Sequence, residues 1–180
     1  RAMMMRAKTA LALIGLLLLS SLSPLAVFSL EADDDARTTS ARATTTWSGA
    51  RILSSDYTVA AGDTLIIDAG ATIMLDDNVR IYVEGELDVT GTTASPATIT
   101  KSSEGTAHEG IQFNATSRGR GSVIQHLVIE HAEWGITVYD SNPELEDVHI
   151  DNADYVGIDL FDSADPIIRR LRVQDGGQDV

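Results

Sequence analysis

The sequence predicts an all-β fold, a right-handed parallel β-helix (solenoid), and three observations carry that expectation. A phrase recurs: Gly135-Ile136-x-Val138-x-Asp140-Ser141 returns as Gly157-Ile158-x-Leu160-x-Asp162-Ser163, each position 22 residues later. Within each copy apolar residues alternate with polar ones in short bursts, which is the mark of strands with one buried face. Gly, Asn, Asp, Ser and Pro separate the bursts and supply turns. The phrase always returns in the same direction, so equivalent strands cannot pair as hairpins. They must stack in parallel, coil upon coil, at about 4.8 Å.

The elements follow in chain order. Residues 1–30 read as a secretory signal peptide: Arg6 and Lys8 precede an apolar run, then small residues and the acidic run Asp33–Asp35. Cleavage is expected after Ser29 or Ala32. The competing reading is a retained membrane anchor over Thr9–Leu30, which Pro24, Ser20, Ser21 and Ser23 weaken. Translation is expected to start at Met3, Met4 or Met5 rather than at Arg1. Residues 31–46, rich in Thr, Ser and Ala, lack periodicity and read as a flexible linker. The β-helix is expected over residues 47–180.

Within it Leu65 and Ile67 match Leu87 and Val89, with Ile73/Leu75 and Ile81/Val83 between them. Ile99, Ile111 and Phe113 continue the winding to Ile124, Leu127 and Ile129. These last three recur as Leu145, Val148 and Ile150, and then as Ile168, Leu171 and Val173. One marker strand falls near residues 74, 99, 128, 149 and 172, predicting about five coils and a rod of roughly 25 Å. GTTASPA and SSEGTAHEG are longer loops interrupting the second and third turns. Gln178-Asp179-Val180 falls inside a repeat, so the fold is expected to be truncated here, with further coils or a cap downstream.

The chain has no cysteine, so stacked aliphatic columns must stand in for disulfides. Its formal charge is −14, and loss of Arg1, Arg6 and Lys8 with the leader leaves 27 acids against 10 bases, or −17. Such a surface repels nucleic acid and anionic lipid head groups. Membrane attachment is therefore expected only through an uncleaved N-terminal segment. Polyanionic glycans are disfavoured too, unless a cation bridges them.

The alternation also assigns outward positions. One column is His126, Asp147 and Arg170, the next Val128, His149 and Arg172, the third Glu130, Asp151 and Gln174. Glu130, Asp147, Asp151, Arg170 and Arg172 are thereby candidate catalytic residues. Glu130 and Asp151, one strand spacing apart, could share Ca²⁺ or approximate the ~5 Å carboxyl pair of a retaining glycosidase. The plainer reading is ordinary surface pairing, with Asp147 facing Arg170. On another strand Tyr139 stands above Phe161, with Thr137 and Asp159 beside them. Tyr139, Phe161 and Asp159 are candidate carbohydrate-binding residues, because an exposed aromatic beside a carboxylate suits a sugar ring. The plainer reading here is stacking that shields the backbone. Trp134 and Tyr155 sit at the turn before this strand. His131, Asn152 and Asp175 share one turn, where side chains can bond along the stack. His108, His126, His131 and His149 have no metal-ligand spacing. Asn114-Ala115-Thr116 is a glycosylation triplet.

The phrases YTVAAGDTLIIDAGATIMLDDNVRIYVEGELDVTGT and SVIQHLVIEHAEWGITVYDSNPELEDVHI resemble the pectate-lyase-like right-handed β-helix superfamily, over about Val59 to Gly177. That resemblance implies the fold and a secreted, periplasmic or cell-surface protein. It implies several functions, from polysaccharide lyases and glycoside hydrolases to adhesins and a copper-maturation protein. A lyase would use calcium to neutralise a uronate and an arginine such as Arg170 or Arg172 as base. The catalytic signatures of those enzymes (Asn-Thr-Asp, Asp-Asp, Gly-His-Gly and Arg-x-Lys settings) are not found at these strands. The expected role is thus an exported or cell-envelope module that binds extracellular polysaccharide or forms a rigid scaffold. The alternative is a lyase or hydrolase with most catalytic residues elsewhere.

Overall fold

A computed structural model describes residues 42–103 and 105–174. The expected leader or anchor, most of the linker and Asp175 lie outside the described residues. The first coil comprises β1 (Thr44–Trp47), β2 (Ala50–Leu53) and β3 (Tyr57–Val59). The second comprises β4 (Thr64–Asp68), β5 (Thr72–Leu75) and β6 (Ile81–Val83). The third comprises β7 (Glu86–Thr90), β8 (Ala97–Lys101) and β9 (Ile111–Phe113). Next come β10 (Val123–Glu130) with β11 (Trp134–Tyr139), then β12 (Glu144–Asp151) with β13 (Val156–Phe161). Two strands of a sixth coil, β14 (Ile167–Arg169) and β15 (Arg172–Gln174), end the described chain.

Every pairing between named strands is parallel, and each joins one coil to the next. The fold is a parallel β-solenoid with three faces. The first face stacks β1, β4, β7, the front of β10 and β12, and β14. The second stacks β2, β5, β8, the rear of β10 and β12, and β15. The third is the five-stranded sheet β3-β6-β9-β11-β13.

Each face sends columns of apolar side chains into the core. Trp47, Ile67, Val89, Ile124, Leu145 and Ile168 are register partners on the first face. Ile73, Ile99, Ile129, Ile150 and Val173 line the second, and Val59, Val83, Phe113, Val138 and Leu160 the third. From the second coil through the fourth these side chains are essentially inaccessible. Each contributes roughly 1.5–3 kcal/mol by burial, which is how the chain dispenses with disulfides.

The expected five coils were short by one at the front. The first coil was obscured because Arg51 stands where later coils carry Ile73 and Ile99. Its guanidinium lies 4.9 Å from the Trp47 ring, and Trp47 meets Tyr57 edge-on at 4.7 Å. This aromatic layer covers the core where no apolar alternation announced it. The linker is correspondingly shorter than expected, since Thr44–Thr46 already belong to β1.

His126, Asp147 and Arg170 were expected as outward strand positions, and here the structure differs. All three have left-handed backbone, with φ of 50°, 54° and 55°, and form the corner where the first face bends into the second. Each stands two residues before a register-matched residue: Val128, His149 and Arg172. Gly70 does the same before Thr72, with φ 74°. The sequence carried the signal, because apolar spacing widens to three at Ile124–Leu127, Leu145–Val148 and Ile168–Leu171. A period-two strand cannot absorb that extra residue without turning. His131 and Asn152, at φ 58° and 53°, make the next corner, and Asp140 and Asp162 the third. These were expected as turns, and they are.

The loop after β8 is fixed by His108, which is fully buried. Its Nδ1 accepts the Gly110 N–H at 3.0 Å, so Nε2 carries the proton and donates to the Glu130 carbonyl at 3.1 Å. Burial drops its pKa from 6.5 to about 4.

Candidate functional site

On the corner between the first and second faces, the expected catalytic candidates are mostly engaged with one another. Arg170 Nε donates to Asp147 Oδ1 at 2.5 Å, while Nη2 reaches Asp147 Oδ2 at 2.8 Å and Glu146 Oε1 at 2.5 Å. His126 Nε2 stands 3.7 Å from Asp147 Oδ2. Hydrogen bonding to Arg170 lowers the pKa of both Asp147 and Glu146, and the pair raises that of Arg170. A guanidinium held in this way is a poor base. At this corner Arg170 of the sixth coil is ion-paired with Asp147 and Glu146 of the fifth, and His126 of the fourth stands beside Asp147.

Glu130 and Asp151 are register partners, as expected. No group of three His, Cys, Asp or Glu able to hold a metal is present among the described residues. Two carboxylates fall short of the six to eight oxygens that calcium takes. Arg172 is occupied by Gln174, to whose Oε1 it donates. Asp151 Oδ1 and His149 Nε2 are shielded from solvent with no hydrogen-bond partner among the described residues.

The third face carries a more developed arrangement, built by two outward columns. Tyr82, Gln112, Thr137 and Asp159 form one by register. Tyr139 and Phe161 continue the other, one residue beyond the inward Val138 and Leu160. Their rings stack at 4.5 Å with an interplanar angle of 7°. Each therefore covers one face of the other, so the pair offers less open ring surface than its exposure in sequence implied. Thr137, expected at the surface, is 3% exposed.

A cleft of about 210 Å³ opens on this face, lined by Arg80, Trp134, Thr137, Tyr139 and Phe161. Asp159 lies beside it as the register partner of Thr137 and is not part of its lining. Trp134 also lines a second cleft of about 400 Å³ with Asp154, Tyr155 and Val156. Its ring packs against Tyr155 at 5.4 Å, tilted by 33°. One indole thus stands between two hollows.

Sequence reasoning did not find Arg80. Register places it where later coils have Gly110, Gly135 and Gly157, each immediately before an inward isoleucine. Arg80 Nε donates to the Glu109 carbonyl at 3.0 Å, Nη2 pairs with Glu109 Oε2 at 3.0 Å, and Nη1 donates to Gln112 Oε1. Gln112 donates to Asn114 Oδ1 at 2.7 Å, and Asn114 to Glu84 Oε1 at 2.5 Å. These bonds join the second and third coils, with sequence separations up to 32 residues, and leave no local pattern to read. The Asn114 amide of the glycosylation triplet is committed to this chain.

Comparisons with protein-family models, with curated proteins and with solved structures found no match to this chain.

Proposed function

We propose that this chain is an exported or cell-envelope β-helix module, pectate-lyase-like in kind, that binds a neutral extracellular polysaccharide on its third face. The observation that carries this reading is Trp134, an aromatic platform between two clefts. Sugar rings present apolar C–H faces to aromatic surface and hydroxyls to a polar rim, and Thr137, Arg80 and Tyr139 supply such a rim. The ligand is neutral because Arg80 is already paired with Glu109 and the chain carries −14 overall. Tyr139 and Phe161 wall the cleft rather than forming the platform.

The test is retention on immobilised neutral and acidic polysaccharides. Binding to a neutral glycan should weaken at least about tenfold, or 1.4 kcal/mol, in Trp134→Ala. Retention indifferent to Trp134 would reject the site, and the absence of retention on any glycan would leave the rigid-scaffold role. A second reading, cleavage at the second face, draws support from the unpartnered Asp151 Oδ1 and His149 Nε2 beside Glu130. New chain ends that disappear in Asp151→Asn would establish it.

A further inference from the structure

The larger cleft beside Trp134, of about 400 Å³, is lined by Trp134, Asp154, Tyr155 and Val156. Register assembles it from two coils. Trp134 pairs with Val156, which places the indole one coil from an aliphatic side chain. The Asp154 N–H donates to the Ala132 carbonyl at 2.8 Å and the Tyr155 N–H to the Glu133 carbonyl at 3.0 Å. The segment leading into β13 is thereby tied to the segment leading into β11, and backbone bonds hold the walls of the cleft in place.

Those walls differ in kind from the walls of the first cleft. Trp134 and Tyr155 meet at 5.4 Å with a tilt of 33°, so their rings diverge, whereas Tyr139 and Phe161 lie nearly flat on each other at 7°. Tyr155 is 54% exposed, so ring surface stays open to a ligand. Aromatic faces carry negative charge density and attract a cation held within about 6 Å. Asp154 adds a full negative charge and has no ion-pair partner among the described residues. Among the described residues no Lys, Arg or His lines the cleft. Two aromatic faces, an aliphatic wall and an uncompensated carboxylate suit a positive charge carried on an apolar body. A bare metal ion does not fit, since a single carboxylate is all the ionic oxygen these walls offer it.

We propose that this cleft binds an organic ammonium group of the quaternary, methylated kind, its charge facing Asp154 and its methyl groups against Trp134, Tyr155 and Val156. The site goes beyond polysaccharide binding in the neighbouring cleft and does not require it, since the two linings share only Trp134. The net charge of −14 favours the approach of such a cation.

Choline and 3,3-dimethylbutan-1-ol share a shape and differ in charge. Titrating the full chain with each, at constant ionic strength and without polysaccharide, tests the proposal. Trp134 is the reporter, because the other tryptophan, Trp47, is only 2% exposed. Choline should change tryptophan emission saturably and bind about fivefold tighter than the alcohol, the margin that a cation gains over aromatic faces. Asp154→Asn and Tyr155→Ala should each weaken choline by a similar factor, with far-ultraviolet dichroism confirming that both variants fold. No saturable change, choline no tighter than the alcohol, or unaltered affinity in Asp154→Asn would each overturn the proposal. None of these outcomes bears on retention by neutral glycans, which the Trp134→Ala comparison decides.

Discussion

His108 couples the stability of this solenoid to pH through a buried imidazole. The native state holds it neutral, with its pKa near 4 against 6.5 when exposed. The unfolded chain therefore binds more protons between those values. Stability is full above pH 6.5 and declines as pH falls toward 4, by about 3 kcal/mol. Urea midpoints of wild type should drop across that window, and those of His108→Asn should drop much less. Equal slopes would remove His108 from the account. Asp147 and Glu146, whose pKa values are lowered by Arg170, contribute in full above their ordinary values of 3.8 and 4.5 and lose that contribution as pH falls below them. Gly135 makes an equally local prediction. A Cβ there would lie 2.3 Å from the Gly157 carbonyl oxygen and 2.9 Å from Ile150 Cγ2. Gly135→Ala should cost about 1–3 kcal/mol by denaturant titration. No residue type in the sequence disclosed either role, because both depend on which backbone lies one coil away.

At the scale of the element, the strands were legible and the corners were not. Period-two alternation marks Leu65/Ile67, Ile73/Leu75 and Ile81/Val83 because one face of each strand is buried. β2 escaped notice because Arg51, the register partner of the inward Ile73, is exposed and packs on Trp47 instead of entering the aliphatic stack. The left-handed corner at His126, Asp147 and Arg170 was written as an apolar spacing of three, while the polar side chains themselves suggested a catalytic surface. The candidate site divides in the same way. Tyr139 over Phe161 was readable from the repeat, since identical phrases place identical positions in one column. Arg80, Gln112 and Asn114 were not, since their bonding joins unlike residues from coils whose loops differ in length.

Across the whole molecule, each coil is supported chiefly by the one before and the one after. Leu127 is fully buried in the fourth coil, with register partners Ala97 and Val148 on the two neighbouring coils. Leu127→Ala should cost about 2–5 kcal/mol by unfolding in urea. A cost below about 1 kcal/mol would mean that the neighbouring coils close over the gap. The parallel register has a further, mechanical consequence. Bonds between coils run along the rod, so tension applied at its two ends loads them a few at a time instead of all together. Pulled by an optical trap, the protein should not yield at one high force. It should unwind as a spool does, one turn per event, each releasing about 20–35 residues and roughly 70–120 Å of extended chain.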